Sequence, residues 1–285
     1  MKYLVVANWK MNPASAREAL RLFEAAARIA AAYRRKMELV VCPPFIYLPY
    51  ARQKQIREQI PLSRHSDISR YRPIDLSTYR LGAQDCFWEN PRDDGPARPR
   101  HAGGAYTGEI SADMLAKSGA RFVICGHSER REYFGETNAV IAKKVAVALS
   151  AGLAPILCVG ERERNEMSSY LSFIKQEIKE GLSLVKKTRF HRVIIAYEPI
   201  WAIGTDAHPI ATKDVLEMNL YIKKILHGIW GTYAAAIRVI YGGSVAPGYA
   251  AQFLTEGGMS GLLIGHQSLK SKALEKIVNE VARSK

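Results

Sequence analysis

Residues 154–197 read APILCVGERERNEMSSYLSFIKQEIKEGLSLVKKTRFHRVIIAY, and this stretch decides the fold class. It begins and ends with short apolar runs, Ala154–Val159 and Val193–Tyr197. Between them, Ser169–Lys187 is rich in Leu, Glu and Lys and predicts an amphipathic helix. Neither run alternates with polar residues, which is typical of parallel strands that helices cover on the outside. The stretch therefore predicts one strand–helix–strand unit of an α/β protein.

The same alternation extends along the whole chain. Further apolar runs lie at Leu4–Ala7, Leu39–Cys42, Arg121–Cys125, Ile237–Tyr241 and Leu262–Ile264, and a weaker run, Tyr79–Ala83, is assigned mainly by its place in the series. Eight such units without a linker-like break favour a closed (β/α)8 barrel in a single domain, 1–285, close to the usual ~250 residues. An open doubly wound sheet is the alternative, but no glycine-rich dinucleotide fingerprint follows the first strand.

Helical patterns fill the spaces between the strands. They lie at Arg17–Tyr33, Thr212–His227 and Leu269–Val281, besides the helix already described. In the first of these, Leu20, Phe23, Ala27 and Ala31 stand three or four residues apart and predict a core-facing stripe. Two segments interrupt the alternation of strands and helices, and we interpret them as insertions. The segment around 52–80 is long and polar, and the segment around 91–103 is rich in proline and glycine.

Composition narrows the class of protein. The chain has 285 residues, of which 48% are hydrophobic and 24% charged, as in a globular domain. No apolar run approaches the ~18 residues that span a bilayer, and the stretch Tyr3–Ala7 is too short for a secretory signal. The cysteines show no close pairing and no C-x-x-C, so buried reduced thiols are expected; they are Cys42, Cys86, Cys125 and Cys158. We expect a cytoplasmic protein.

The formal net charge of +14 points to an anionic partner. Nucleic acid, an acidic surface and a phosphorylated small molecule all fit, and an inert basic surface is the plainer alternative. Basic residues are spread over many helices without an aromatic-interleaved motif, so nucleic-acid binding is disfavoured.

Polar residues with catalytic potential follow the predicted strands, where the functional groups of such barrels gather. Asn8 and Lys10 follow the first strand on one side of the chain. His127 follows the fourth strand and opens toward a helix, where backbone N–H groups favour a neutral imidazole. Glu198 ends an apolar strand, and a carboxylate there is costly unless it is paired or used. The hydrophobic segment 199–205 that follows it has the composition of a lid.

Glycines mark the ends of the last two strands. Gly242-Gly243-Ser244 follows the seventh strand, and Gly265-His266 follows the eighth. Glycines let backbone N–H groups approach an anion closely, and these two loops commonly bind phosphate in barrels. Together, in a basic protein, they predict a phosphate site.

Five sequence motifs of the chain are similar to those of a known family. ANWKMN (7–12), GAYTGEIS (104–111), CGHSERR (125–131), AYEPIWAIGT (196–205) and YGGSV (241–245) resemble the triosephosphate isomerase family, in its order and across nearly the whole chain. The resemblance implies a TIM barrel that interconverts dihydroxyacetone phosphate and glyceraldehyde 3-phosphate without a metal or cofactor. It also implies Glu198 as the base and a neutral His127 that polarises the carbonyl, two roles that are an established example of pKa tuning.

The other site residues follow from the same resemblance. Lys10, held by Glu129, offsets the charge of the enediolate, and Asn8 hydrogen-bonds the substrate. Backbone N–H groups bind the phosphate, at Gly204, Ser244, Gly265 and His266. Closure of 199–205 presses Ile203 and Leu263 around Glu198. The resemblance also implies a homodimer in which Thr107 reaches the neighbouring subunit, with Glu109 and Arg130 as a cross-subunit ion pair.

The chain departs from the family pattern at a few positions. His266 stands where the family usually has a second glycine. Either its side chain points away and activity is kept, which we favour, or it weakens or alters phosphate binding. Ser260 replaces an acidic residue, and Asp206 stands where a glycine is common.

The sequence lacks the residues that other barrel enzymes need for catalysis. A Schiff-base aldolase needs a lysine on a late strand, and none occurs between Lys187 and Lys213. Metal-dependent epimerases need clustered ligands, whereas the seven histidines are scattered. A barrel that binds a polyanion would use the segment 52–80.

Overall fold

A computed structural model of the chain describes residues 2–52, 78–89, 104–164, 168–202 and 210–284. Within these ranges eight strands form one closed, all-parallel barrel in sequential order, and the last strand pairs with the first. The strands are β1 (Tyr3–Asn8), β2 (Met37–Cys42), β3 (Arg80–Ala83), β4 (Ala120–Cys125), β5 (Ala154–Val159), β6 (Ile194–Tyr197), β7 (Arg238–Tyr241) and β8 (Gly261–Ile264). The predicted (β/α)8 barrel is confirmed, and each predicted apolar run overlaps one of these strands.

Helices lie between the strands in sequence. They are α1 (Ala16–Tyr33), α2 (Ala112–Lys117), α3 (Ser128–Tyr133), α4 (Asn138–Ser150), α5 (Ser169–Gly181), α6 (Thr212–Trp230), α7 (Ala250–Thr255) and α8 (Ser271–Arg283). The prediction for α5 was six residues too long, because the chain leaves the helix at Leu182. None of the helices in the described ranges is long and apolar enough to cross a membrane.

The two faces of the strands pack into separate layers, as the unbroken apolar runs predict. One face fills the barrel interior with Leu4, Val6, Val40, Phe122, Ile124, Ile156, Ile194, Ile240 and Leu263, among others. The other face packs under the helices in a second, larger cluster. All four cysteines are free and buried, as predicted.

The predicted apolar stripe of α1 was only partly right. Leu20 and Phe23 are buried, whereas Ala27 is half-buried and Ala31 is exposed. The buried face includes Ile29 and Ala30 instead. Alanine is small enough for either environment, so an alanine-rich helix defines its buried face poorly. Of the predicted insertions, residues 53–77 and 91–103 lie outside the described ranges.

Candidate active site

One cavity of about 520 Å³ opens at the carboxyl ends of the strands. The predicted site residues that line it are Asn8, Lys10, His127, Glu198, Ser244, Gly265 and His266. Gly204 lies outside the described residues, as does Ile203, whereas Leu263 lines the cavity. The fold therefore brings together residues separated by more than 250 positions, because parallel strands end at one edge of a barrel.

Glu198 follows β6 and is only 2% exposed. Its Oε2 accepts a hydrogen bond from the Ser128 backbone N–H at 3.1 Å. Its Oε1 lies 3.5 Å from His127 Nε2 and has no hydrogen-bond partner among the described residues. A buried carboxylate with an unused acceptor oxygen at a cavity wall is suited to take a proton from a ligand.

His127 is the N-cap of α3, and its Nδ1 accepts the backbone N–H of Glu129 at 3.3 Å. A ring nitrogen that accepts a hydrogen bond carries the lone pair, which assigns the ring proton to Nε2. The Nε2 atom faces Glu198. The network therefore fits a neutral imidazole whose N–H is available to the cavity.

Lys10 combines a charged side chain with an unusual backbone. Its φ is +53°, in the left-handed region. Its backbone N–H donates to Asn8 Oδ1 at 3.0 Å, and its Nζ lies 2.6 Å from Glu129 Oε1. Gln84, which the sequence did not single out, donates through Nε2 to the carbonyls of Lys10 (2.8 Å) and Cys42 (2.9 Å). Three contacts thus hold Lys10 at the cavity, two on its backbone and one on its ammonium group.

The glycine-rich end of the cavity is cationic. His266 and Lys270 both line it with exposed side chains. The Cε of Lys10 lies 3.3 Å from the position that a Cβ would take at Gly265. The Ser244 N–H donates to the Ala202 carbonyl at 3.4 Å, a long hydrogen bond. Lys270 was not predicted, because it stands five residues beyond Gly265 rather than at the strand end.

A second carboxylate, Glu161, anchors the chain on both sides of Glu198. Its Oε1 accepts hydrogen bonds from Tyr197 Oη (2.8 Å), Trp201 Nε1 (2.9 Å) and Arg164 Nε (3.0 Å). Burial and the neighbouring Glu161 raise the pKa of Tyr197, which keeps the phenol protonated. Sequence reasoning missed Glu161, although its position after β5 was a usable signal.

The residues assigned to a subunit contact lie near the same end of the barrel. Thr107 and Glu109 are exposed. Arg130 pairs within the chain with Asp85 at 2.9 Å, and also with Glu136. In the part of the chain that the structure describes, no cluster of His, Cys, Asp and Glu is arranged to hold a metal ion.

Comparison with known proteins gives one consistent result. A family profile described as triosephosphate isomerase matches residues 3–281. A triosephosphate isomerase of Dictyoglomus thermophilum is 37% identical over 277 residues, covering 96% of this chain and 98% of that protein. Those of Moorella thermoacetica and Aquifex aeolicus are 37% and 34% identical over 279 residues each, covering 97% and 98% of this chain and 97% and 99% of the relatives.

Proposed function

Because the chain belongs to the triosephosphate isomerase family, we propose that the cavity at the carboxyl end of the barrel is its catalytic site. The chain is an isomerase that interconverts dihydroxyacetone phosphate and glyceraldehyde 3-phosphate, a step of glycolysis and gluconeogenesis. Family membership also sets aside the aldolase and epimerase alternatives. The polyanion alternative depended on the segment 52–80, most of which lies outside the described residues.

Glu198 acts as the base. Its carboxylate removes a proton from C1 of dihydroxyacetone phosphate, which leaves an enediolate, and the proton returns to C2 to give the aldehyde. The unpartnered Oε1 supports this role, since it is the acceptor that a substrate C–H could meet.

His127 and Lys10 stabilise the oxyanion. The His127 Nε2–H donates to the carbonyl oxygen and passes a proton between the two enediolate oxygens, while Lys10 offsets the negative charge. The Nδ1 hydrogen bond from Glu129 supports a neutral ring, and the Glu129 carboxylate near Lys10 Nζ supports a fixed cation. Asn8 orients the substrate and the Lys10 backbone.

We assign phosphate binding to the glycine-rich end, through the backbone N–H groups of Ser244, Gly265 and His266 and that of Gly204, which lies outside the described residues. Closure of the segment 199–205 excludes water from the enediolate. The hydrogen bond from Trp201 to Glu161 supports a fixed base for that segment, of which 203–205 lie outside the described residues. We assign no cofactor and no metal to the reaction.

The decisive test is Glu198→Ala, with Glu217→Ala on the exposed face of α6 as the control. We expect turnover of glyceraldehyde 3-phosphate, coupled to a dehydrogenase, to fall by about 10³-fold or more in the first variant, because general-base catalysis is lost. The control should match the parent. Comparable rates for Glu198→Ala and the parent would overturn the assignment.

The chain forms a single domain over 1–285. It works as a homodimer in the cytoplasm. Exposed apolar side chains on the segments that follow β1, β2 and α3 support the dimer, namely Met11 (94% exposed), Ile46 (70%) and Phe134 (67%), because large exposed apolar groups commonly mark interfaces. Four free, buried cysteines support a reducing compartment.

Analytical ultracentrifugation checks the dimer directly. We expect about twice the 31.8 kDa chain mass at micromolar concentration, and a smaller species after Thr107→Arg, which places a bulky charge in the proposed contact. A monomer at that concentration in the parent protein would rule the dimer out.

A further inference from the structure

An ion pair between the buried Glu177 and the half-buried Arg131 contacts the backbone next to Glu198 and His127 and takes no part in the mechanism above. Glu177 projects from α5 and is 1% exposed. Its Oε1 lies 3.0 Å from Arg131 Nη1, and its Oε2 accepts the Gly160 backbone N–H at 2.9 Å. Burying such a pair contributes little net stability on average, because desolvation offsets the attraction. The attraction between the two charges is therefore a weak explanation for their placement.

One end of this pair supports the backbone of the base. A Cβ at Gly160 would lie 1.8 Å from the Glu198 carbonyl oxygen, so the two backbones are in direct contact. The Glu198 N–H also donates to the Val159 carbonyl at 2.8 Å. Glu177 therefore binds the backbone N–H of Gly160, the residue whose backbone contacts that of Glu198.

The other end supports the backbone of the histidine. Arg131 Nε donates to the Gly126 carbonyl at 2.8 Å, and Nη2 donates to the Cys158 carbonyl at 3.0 Å. Gly126 directly precedes His127 and has a φ of +71°. Arg131 thus holds the peptide that leads into His127 and links it to β5.

We propose that Glu177 is a positioning residue that sets the relative placement of Glu198 and His127. Through Gly160 it holds the strand end that supports the base, and through Arg131 it holds the turn that supports the electrophile. The proposal rests on the catalytic roles assigned above. Its expected magnitude is large, because displacing reacting groups by ~1 Å costs ~10²-fold in rate.

The charge of Glu177 is poised to change near neutral pH. The groups that face it are Arg131, Cys158, Glu161 and Glu198. Burial raises the pKa of Glu177 to about 7; Arg131 and the Gly160 N–H oppose that rise, and the two carboxylates add to it. Burial raises the pKa of Cys158 as well, so that thiol stays neutral. Protonation of Glu177 weakens its bond to Arg131, and activity should fall with it.

The test uses Glu177→Gln, which keeps the shape and removes the charge. The control is Glu275→Gln, the same change at an exposed position of α8. We expect kcat to fall about 10- to 100-fold with KM within about 2-fold, because substrate contacts are retained. The ratio of parent to variant rates should also change with an ionisation near pH 7, and the substrate's own ionisation cancels in that ratio. Glu177→Asp should keep this ionisation and recover part of kcat.

A folded Glu177→Gln protein with the parent's kcat and pH profile would overturn the proposal. The parent would still depend on Glu198 in that case, so the proposed function would stand; an inactive parent would instead refute the function. If neither Glu177 variant folds, the parent's profile decides. The parent's rate must then depend on a group that ionises near pH 7, in addition to the substrate phosphate, which ionises near pH 6. A pH–rate profile that the phosphate alone explains refutes the proposal.

Discussion

Lys10 shows how a single residue can be held against its local preference. A left-handed backbone costs a non-glycine residue about 1–2 kcal/mol, and such strain persists only where the surroundings impose it. Here Asn8 and Gln84 bind the backbone on either side of the residue, while Glu129 holds the side chain. The strained backbone and the ammonium group are therefore held by different neighbours.

The rotamer of Glu198 is possible only because Gly242 beside it has no side chain. A Cβ at Gly242 would lie 2.8 Å from Glu198 Cγ, closer than real carbon contacts allow. We expect Gly242→Ala to displace the carboxylate and lower kcat about 10- to 100-fold while the protein stays folded, measured by steady-state kinetics and circular dichroism.

Gly228→Ala is the matched control, since it adds the same methyl group where nothing lies within 4 Å, on α6. It should keep the parent's kcat and raise the free energy of unfolding by about 0.5–1 kcal/mol. Equal kcat values for both alanine variants would show that the contact at Gly242 does not control the base.

At the scale of elements, a buried charge cluster joins the segment after β3 to α4. Lys144 Nζ, on α4, lies 2.6 Å from Asp85 Oδ1 and 2.5 Å from Glu136 Oε1. Burial alone would lower the pKa of Lys144, but the two carboxylates outweigh it and raise that pKa. Burial raises the pKa of Asp85 in spite of Lys144. The amine therefore compensates two carboxylates that would otherwise repel each other.

Replacing Lys144 with Met should lower the free energy of unfolding by about 3 kcal/mol, because it leaves the half-buried Arg130 alone to compensate two buried carboxylates. Urea denaturation followed by fluorescence measures the loss. Lys143→Met, on the exposed face of the same helix, should change stability by no more than about 0.5 kcal/mol. A similar effect of the two substitutions would show that the cluster contributes no net stability.

For the whole molecule, Glu177 makes stability depend on pH. Its folded-state pKa, about 7, exceeds the reference value of 4.5. The folded state thus binds the proton more tightly, and this contribution is full below pH 4.5 and is lost as pH rises through 7. A shift of this size corresponds to about 3 kcal/mol.

The Glu177→Gln variant lacks this titration. Between pH 5 and pH 8 the parent should therefore lose stability relative to the variant, by up to about 3 kcal/mol, and thermal melts at several pH values measure the difference. A stability difference between the two proteins that does not change over this range would contradict the raised pKa.

The strands and the residues of the proposed site that line the cavity could be predicted because their signals are local. A buried parallel strand is apolar along its length, so β5 and β6 are visible in the sequence, and the polar residues that end the strands, His127 and Glu198, stand out against them. The motifs around those residues then indicated the family. Helix boundaries and buried faces were less predictable, as at Ala31, because alanine-rich helices tolerate several orientations.

The amino-acid pattern was enough to predict the barrel, the family and the residue types that follow the strands at their carboxyl ends. The side chains that hold these residues are visible only in the folded chain, among them Gln84 at Lys10, Glu161 at Trp201, and Glu177 between Gly160 and Arg131. The difference lies in how far apart in the sequence the interacting residues are. Periodicity and strand ends are properties of neighbouring residues, whereas a buried hydrogen bond between distant segments exists only once the closed sheet has brought them together.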